Sequence, residues 1–467
     1  MLLKNTFYSS LNSFLRFLSN ALLYVILARA LGVEEFGRFT FALSFTGIFL
    51  TFIDYGFNLL IVKEVSQKPK GLMKWMRSII SAKILLCTLF TVIIFVTLRA
   101  LNYPSETQII VGILWLSAIF YSFGFFFNNV FRGLNQFQYE TYPTILLNAT
   151  QFFVVTIFLL LRFKTPLVAI AYLLARILYL VHSTYLLFSK VSKVPLSYNL
   201  SESIKILKIA FPYGIHAILA TLYLQLDTVL LSYLKGNIEV GHYQAAMRIF
   251  TAIMVIYDVI GSAFFPVISA FIKNDKAKFN RYALLLNKIA IYAGSVFGVG
   301  AFLFSQPIIS ILYGKQYINS ILVMRILAGV IFLRFLGAGY ALFITAAEGQ
   351  KFRAMGVSLS LIVNVILNVF LIPKFGAIGA AIASLITHIV LDSIYFYFAI
   401  KLTNDVFVDS DTIKAMSVIF LNILLHLMNF NIMYLSPLIF AASVFVSFRF
   451  VTKTVELDFV RKYFRRI

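Results

Sequence analysis

The chain has 467 residues, of which 61% are hydrophobic and 12% charged, and its 40 Lys and Arg against 18 Asp and Glu leave a net charge of +22. An ordinary soluble domain carries roughly 25% charged residues, and so little polar surface cannot cover that much apolar side chain in water. One cysteine, Cys87, and 50 phenylalanines also exclude a disulfide scaffold and a disordered chain. What remains is a polytopic membrane protein. Its partner is the lipid bilayer, and its basic excess bears on orientation, with no nucleic acid involved.

A membrane-spanning helix needs about 20 mostly apolar residues. Fourteen such runs follow one another: 5–30, 36–62, 78–100, 107–131, 141–162, 166–188, 203–234, 239–271, 283–305, 320–346, 353–372, 376–400, 412–430 and 433–452. The first ends on Ala28-Arg29-Ala30, a small-x-small pattern, yet its length and the interrupting Arg16 fit a retained helix rather than a cleaved signal peptide. Arg334 interrupts the tenth run, and Asn429–Asn431 alone part the last two. No run shows the alternation of barrel strands. The expectation is an all-α fold of about fourteen transmembrane helices.

Short cytoplasmic loops collect Lys and Arg. With the N-terminus inside, 27 of the 40 basic residues fall in inner segments and inner run ends, ten in outer segments and outer run ends, and three (Arg16, Arg176, Arg334) near the middle of runs. Both termini are therefore expected in the cytoplasm, with the chain in the inner or plasma membrane. The outer loops are all short, which disfavours a receptor and a membrane polymerase or ligase with catalytic outer loops.

The chain reads as duplicated. At a shift of 204, Gly32 falls on Gly236, Glu35 on Glu239, Gly37 on Gly241, Ala42 on Ala246 and Asp54 on Asp258. At a shift of 212, Arg162 falls on Lys374, Phe163 on Phe375 and Arg176 on His388. Six helices separate the halves, so both start on one side and are related by a pseudo-two-fold axis along the membrane normal. The expected organisation is an N-lobe 1–199, a C-lobe 200–400, and a segment 401–467 holding two further helices and a basic cytoplasmic tail. The link is 189–202, with Pro195 and several serines. Two such lobes suit alternating access around a site near the midplane.

The stretch 27–66 (LARALGVEEFGRFTFALSFTGIFLTFIDYGFNLLIVKEVS), its echo 226–250 followed by Phe264-Phe265-Pro266, and 361–384 (LIVNVILNVFLIPKFGAIGAAIAS) carry a family likeness. In order on fourteen helices, they resemble polysaccharide (O-antigen, oligosaccharide-lipid) flippases of the Wzx type. These belong to the multidrug/oligosaccharidyl-lipid/polysaccharide exporter (MOP) superfamily, with the MATE exporters and the MurJ lipid II flippases. The resemblance implies a MATE- and MurJ-like fold, a central cavity lined by basic residues, and movement of polyprenyl-diphosphate-linked oligosaccharide from inner to outer leaflet. Its alternatives are a cation-coupled small-molecule exporter of the MATE type and a peptidoglycan-precursor flippase of the lipid II type.

A charge at the bilayer centre costs at least ~2.5–3.5 kcal/mol on insertion scales, so each needs a partner or a wet cavity. Arg16 shares a helix face with Asn12, Ser13, Ser19 and Asn20. That stripe lines a cavity or packs on another helix, and a guanidinium there suits a diphosphate, which it binds bidentately. Arg334 is the C-lobe candidate by depth, flanked by Gly337 and Ala338. Arg176, with Tyr172 and Tyr179 on its face, is a further candidate, and a structural hydrogen-bonded arginine is the competing reading. Arg248 is a fourth, although Arg29, Arg38, Arg248 and Arg325 all sit near outer helix ends, where snorkelling accounts for them. Asp54, Asp227 and Asp258 are candidate counter-ions or coupling sites, against the reading that they form internal pairs fixing helix register.

Enzymic chemistry is not expected. The five histidines show no paired metal spacing, and neither a metal nor another cofactor is expected. No G-x-x-x-x-G-K-[ST] loop is present, so ATP is not the direct drive. Asn148-Ala149-Thr150 matches a glycosylation acceptor but falls within a span, and it reads as coincidence.

Overall fold

The computed structural model of the chain describes residues 2–68, 71–191, 199–427 and 436–452, and among them all regular structure is helical. The middle of the link 189–202, the Asn429–Asn431 break and the basic tail beyond 452 lie outside the described residues, as do the side chains of Asn12 and Ser13. Packing groups the chain into two compact units, Met1–Gln244 and Ala245–Ile467.

The first unit contains α1 (Leu2–Asp54), α2 (Phe57–Gln67), α3 (Leu72–Ala100), α4 (Ser105–Gly133), α5 (Phe137–Leu160), α6 (Thr165–Lys190), α7 (Leu200–Lys235) and the opening of α8 (Asn237–Phe271). Helix α1 has 53 residues. Drawn straight it would reach about 80 Å, over twice the ~30 Å hydrocarbon thickness. It therefore holds two of the expected spans, and it turns between them at Gly32 (φ 77°, ψ 175°). That conformation is essentially confined to glycine. Helix α4 packs on α6, and α1 packs on α5 and α7.

The second unit contains the rest of α8, then α9 (Lys276–Leu303), α10 (Ser305–Tyr313), a 3-10 turn (Lys315–Tyr317), α11 (Ser320–Leu336), α12 (Ala338–Ala346), α13 (Gln350–Thr403), α14 (Ser410–Leu427) and α15 (Ser436–Thr452). The 54-residue α13 again combines two expected spans, and it turns at Gly376 (φ 56°, ψ −131°). Helix α11 packs on α9 and α13, and α14 on α15 and α9. Asp275 caps α9, its carboxylate accepting from the Lys278 N–H at 3.0 Å.

Ten helices among the described residues are long and apolar enough to cross a membrane. Two of them, Arg16–Gln67 and Gln350–Thr403, are double-length, so the ten hold the first twelve expected spans. The last two expected spans are occupied by α14, with 18 residues, and α15, with 17. Three breaks depart from the run boundaries. The run 36–62 parts at Tyr55, which has φ 41°. Tyr213 and Gly214 of α7 pack against this corner. The run 320–346 parts at Gly337, three residues past Arg334, where the Asp392 carboxylate lies against the backbone. A short α10 follows α9.

The repeat has a geometric counterpart within the first unit. Gly236 has φ 86° and ψ −176°, nearly the same conformation as its mate Gly32. Gly37 and Gly241 are mates too, and they make reciprocal close contacts. A Cβ on Gly37 would lie 1.8 Å from the Asn237 carbonyl oxygen, and one on Gly241 would lie 2.1 Å from that of Val33. Val33 and Asn237 are themselves related by the shift of 204. Two equivalent stretches thus meet face to face, as a two-fold relation requires.

Gly37→Ala should destabilise the detergent-purified protein by at least ~1–3 kcal/mol, the usual cost of overpacking. Gly47→Ala, whose Cβ meets nothing within 4 Å, should be neutral or stabilising by up to ~1 kcal/mol. Equal thermal midpoints for the two variants would contradict this packing.

Candidate functional site

The first unit encloses a cavity of about 430 Å³ between α1, α4, α5 and α6. Arg16 and Asn20 reach it from successive turns of α1, and the Asn20 amide donates to the Arg16 carbonyl at 2.8 Å. From α4 come Tyr121, Phe125, Asn128 and Arg132, which share one helix face. From α5 come Glu140, Thr144, Asn148 and Gln151, at spacings of four, four and three. This polar stripe climbs about 16 Å along the helix. Arg176 and Tyr179 complete the wall from α6.

The charges are unevenly compensated. Arg132 grips Glu140 in a bidentate fork along one guanidinium edge, Nε donating to Oε2 at 3.0 Å and Nη2 to Oε1. That fork closes the short turn between α4 and α5 and neutralises the cavity's one carboxylate. Arg16 and Arg176 pair with no carboxylate among the described residues. The Arg176 guanidinium instead lies 5.1 Å from the Tyr121 ring centroid and 6.0 Å from that of Tyr172, and its buried Nε has no hydrogen-bond partner. Tyr121 stacks on Tyr179 with centroids 5.7 Å apart. The Asn128 amide donates to the Tyr179 hydroxyl at 2.9 Å. The result is a polar chamber with two cations that have no anionic partner, within helices of membrane length.

In the second unit, Arg334 stands at the end of α11 with its guanidinium 5.2 Å from the Tyr257 ring centroid. It is within electrostatic reach of Asp258, His388 and Asp392. The structure thus brings together two of the candidates, Arg334 and Asp258, and adds His388 and Asp392. Arg248 lies in α8 within electrostatic reach of Tyr313.

The remaining acids are committed to protein partners. Asp54 accepts from the Lys83 ammonium at 2.7 Å and the Ser122 hydroxyl at 2.6 Å, and Lys83 is wholly buried. These contacts tie α1 to α3 and α4. Asp227 of α7 accepts from the Tyr243 hydroxyl at 2.9 Å. Lys288 of α9 is likewise buried and pairs with Asp409 at 3.0 Å. Burial alone would raise the Asp409 carboxyl, but Thr412 and Lys288 hold it below the usual carboxylate range. Lys83 and Lys288 fall near the starts of the runs 78–100 and 283–305, and both are core ions. Arg38 does more than snorkel: it is held by Glu35 at 2.7 Å and Glu106 at 2.5 Å. Arg325 donates to the Ser305 hydroxyl at 3.1 Å.

The sequence singled out Arg16 and Arg176 separately, and the structure joins them in one chamber. Tyr121, Asn128, Glu140, Thr144, Asn148 and Gln151 were missed. The helical spacing of the four α5 residues was the available signal. No group of three or more His, Cys, Asp or Glu able to hold a metal is present among the described residues.

Membrane-length helices around an internal polar chamber define a transporter. Residues 2–272 match the family described as polysaccharide biosynthesis protein, and the chain belongs to that family. A putative O-antigen transporter of Escherichia coli K12 is 25% identical over 426 residues, 85% of this chain and 96% of that protein. A probable low-salt glycan biosynthesis flippase of Haloferax volcanii is 25% identical over 189 residues, 38% of this chain and 39% of its own length. Among solved structures, the lipid II flippase MurJ in an inward closed conformation matches with a TM-score of 0.75 at 17% identity, covering 96% of this chain and 99% of its own. The chain therefore shares the fold of that structure.

Lys83→Met should destabilise the protein by ~3–5 kcal/mol, because it leaves the Asp54 carboxylate without its buried cation. The double variant Lys83→Met/Asp54→Asn should recover much of that loss. A thermal-midpoint double-mutant cycle checks this, and additive losses would contradict a direct pair.

Proposed function

We propose that the chain is a flippase that moves lipid-linked oligosaccharide from the inner to the outer leaflet of the plasma membrane. The lobes 1–199 and 200–400 would alternate access, with 401–467 outside the repeat and both termini cytoplasmic. The substrate is a polyprenyl diphosphate carrying sugars. One observation carries this reading: two arginines without acidic partners, Arg16 and Arg176, share a chamber whose only lining carboxylate is already engaged by Arg132. An anion is the missing component. Diphosphate supplies it, since guanidinium binds phosphate oxygens through paired, charge-assisted hydrogen bonds.

The position of the chamber fits uptake from the inner leaflet. Arg132 and Glu140 flank the α4–α5 turn, which the basic-residue asymmetry assigns to the cytoplasmic side. The chamber extends from that turn toward mid-helix. Arg334, stacked on Tyr257, would offer a second cationic station, with Asp258 as its counter-ion and Arg248 as a further contact. Asp54 and Asp227 serve architecture in this account. A cation-coupled exporter would need a free acid in the chamber, and Glu140 is spent. The names of the O-antigen and glycan-flippase relatives support the same substrate class. Catalysis of bond cleavage or transfer has no part in it. An inside-negative potential helps a diphosphate move outward, by ~2.3 kcal/mol per charge per 100 mV.

Losing a charged hydrogen-bond donor costs ~1.5–3 kcal/mol, or roughly tenfold to a hundredfold. Arg16→Ala and Arg334→Ala should each cut glycan export in cells by that range with membrane levels unchanged, and dissipating the potential should slow the wild type. Normal export from both variants would overturn the assignment.

A further inference from the structure

Helix α7 is longer than a membrane requires. Its 36 residues would reach about 54 Å, and a span of about 20 residues counted back from Lys235 ends near Ile215. The turns before it begin at Leu200 and carry Pro212, whose missing N–H interrupts the helix ladder. Their inner face is fixed on α3. The Ser81 and Ser203 hydroxyls are 2.8 Å apart, the Asn199 N–H donates to the Ser81 hydroxyl at 3.1 Å, and the Ser78 hydroxyl donates to Glu202 at 3.2 Å. Further on, a Cβ on Gly214 would lie 3.0 Å from the Tyr55 carbonyl oxygen, and the Lys63 ammonium donates to the Tyr213 hydroxyl at 3.2 Å. Tyr55 follows Asp54, which is bound to Lys83 of α3. Along α3, Ser81 and Lys83 are about 3 Å apart, whereas Ser203 and Gly214 are about 16 Å apart along α7. The opening of α7 therefore crosses α3 at nearly one level instead of continuing along it.

The outer face of that opening is exposed and apolar. Leu200, Ile204, Phe211 and Ile215, between 40% and 54% exposed, recur at helical spacing in one stripe, and Lys208 stands within it. Lys205 flanks the stripe. The chain on either side of the α2–α3 turn adds exposed Lys63, Lys68, Lys74 and Arg77. The acids in 57–81 and 199–213 are Glu64, beside Lys63, and Glu202, which accepts from Ser78. We propose that the opening of α7 is an in-plane helix docked on anionic phospholipid, with its apolar stripe in the acyl region and Lys205 and Lys208 on lipid phosphates. An exposed apolar stripe flanked by lysines suits the boundary between acyl chains and headgroups, and lysine stems reach from the stripe to the phosphates. The cationic surplus selects anionic headgroups over zwitterionic ones. The choice of the inner leaflet rests on the orientation proposed above. Helix α7 opens the second repeat, so this contact would tie its first helix to the lipid composition of the membrane.

Trp75, in the first turn of α3 between Lys74 and Arg77, reports on this surface, and Trp115 is the only other tryptophan. The test reconstitutes the full-length Trp115→Phe protein in nanodiscs of phosphatidylcholine and phosphatidylglycerol at a fixed ratio, with a bromine quencher on one lipid or the other. The relative association constant read from quenching of Trp75 should favour phosphatidylglycerol by about fivefold or more, the effect of at least one lysine at an anionic headgroup. In the Lys205→Gln/Lys208→Gln variant that preference should fall to less than about half, and raised salt should weaken it in the parent. If Trp115→Phe fails to assemble, the difference between the wild type and Trp75→Phe isolates the same signal. Equal quenching by the two lipids, the result expected if an acidic protein segment covers the lysines, overturns the inference. A preference unchanged in the double lysine variant overturns it too. Neither result depends on glycan export, so the flippase reading fails separately.

Discussion

A guanidinium inside a membrane helix must find an anion or water, and the way this chain meets that requirement organises the rest of its structure. Arg132, partly exposed, has Glu140. Two buried cations are also answered from within: Lys83 has Asp54 and Lys288 has Asp409. Removing one partner of such a pair is strongly destabilising, so these ions hold helices in place. Arg16 and Arg176 break the pattern. They line a chamber where no free carboxylate stands among the described residues, and in the proposed function an anionic headgroup answers that imbalance.

The helices that carry those arginines are placed by close backbone contact. Helix α1 can reverse at Gly32 because a glycine tolerates that conformation, and Gly236 repeats it one repeat length later. The reciprocal approach of Gly37 and Gly241 then brings equivalent stretches together with no side chain between them. Two stretches related by the shift of 204 thus frame the first unit through one contact. Arg16, more than four helical turns before the bend at Gly32, is carried on that frame.

Much of this was legible in one dimension. Long apolar runs must be helices, because backbone polar groups in lipid have to be satisfied within the segment, and the first twelve runs correspond to helices of membrane length. The shift of 204 was readable because glycine, glutamate and aspartate rarely recur in register in such a biased composition, and the matched conformations of Gly32 and Gly236 give it a physical basis. The breaks at Tyr55 and Gly337 were not legible, since each sits against a residue far away in sequence, Tyr213 in one case and Asp392 in the other. Charge counting weighs sign and not burial, so the core pairs of Lys83 and Lys288 are invisible to it. The chamber was half visible. Arg16 and Arg176 stood out as charges in apolar runs, whereas Asn148 resembled a stray glycosylation acceptor. Only when Glu140, Thr144, Asn148 and Gln151 are seen as one face of α5 does its role emerge.

In the proposed function, glycolipid enters the chamber between α1, α4, α5 and α6. A photo-crosslinking amino acid tests it directly when substituted for Phe125, which lines the chamber, or for Leu160, an exposed residue at the far end of α5. Irradiation of cells making the glycan should attach lipid-linked oligosaccharide to the protein at position 125 and not at position 160. Equal capture at both positions, or capture at 160 alone, would contradict the account.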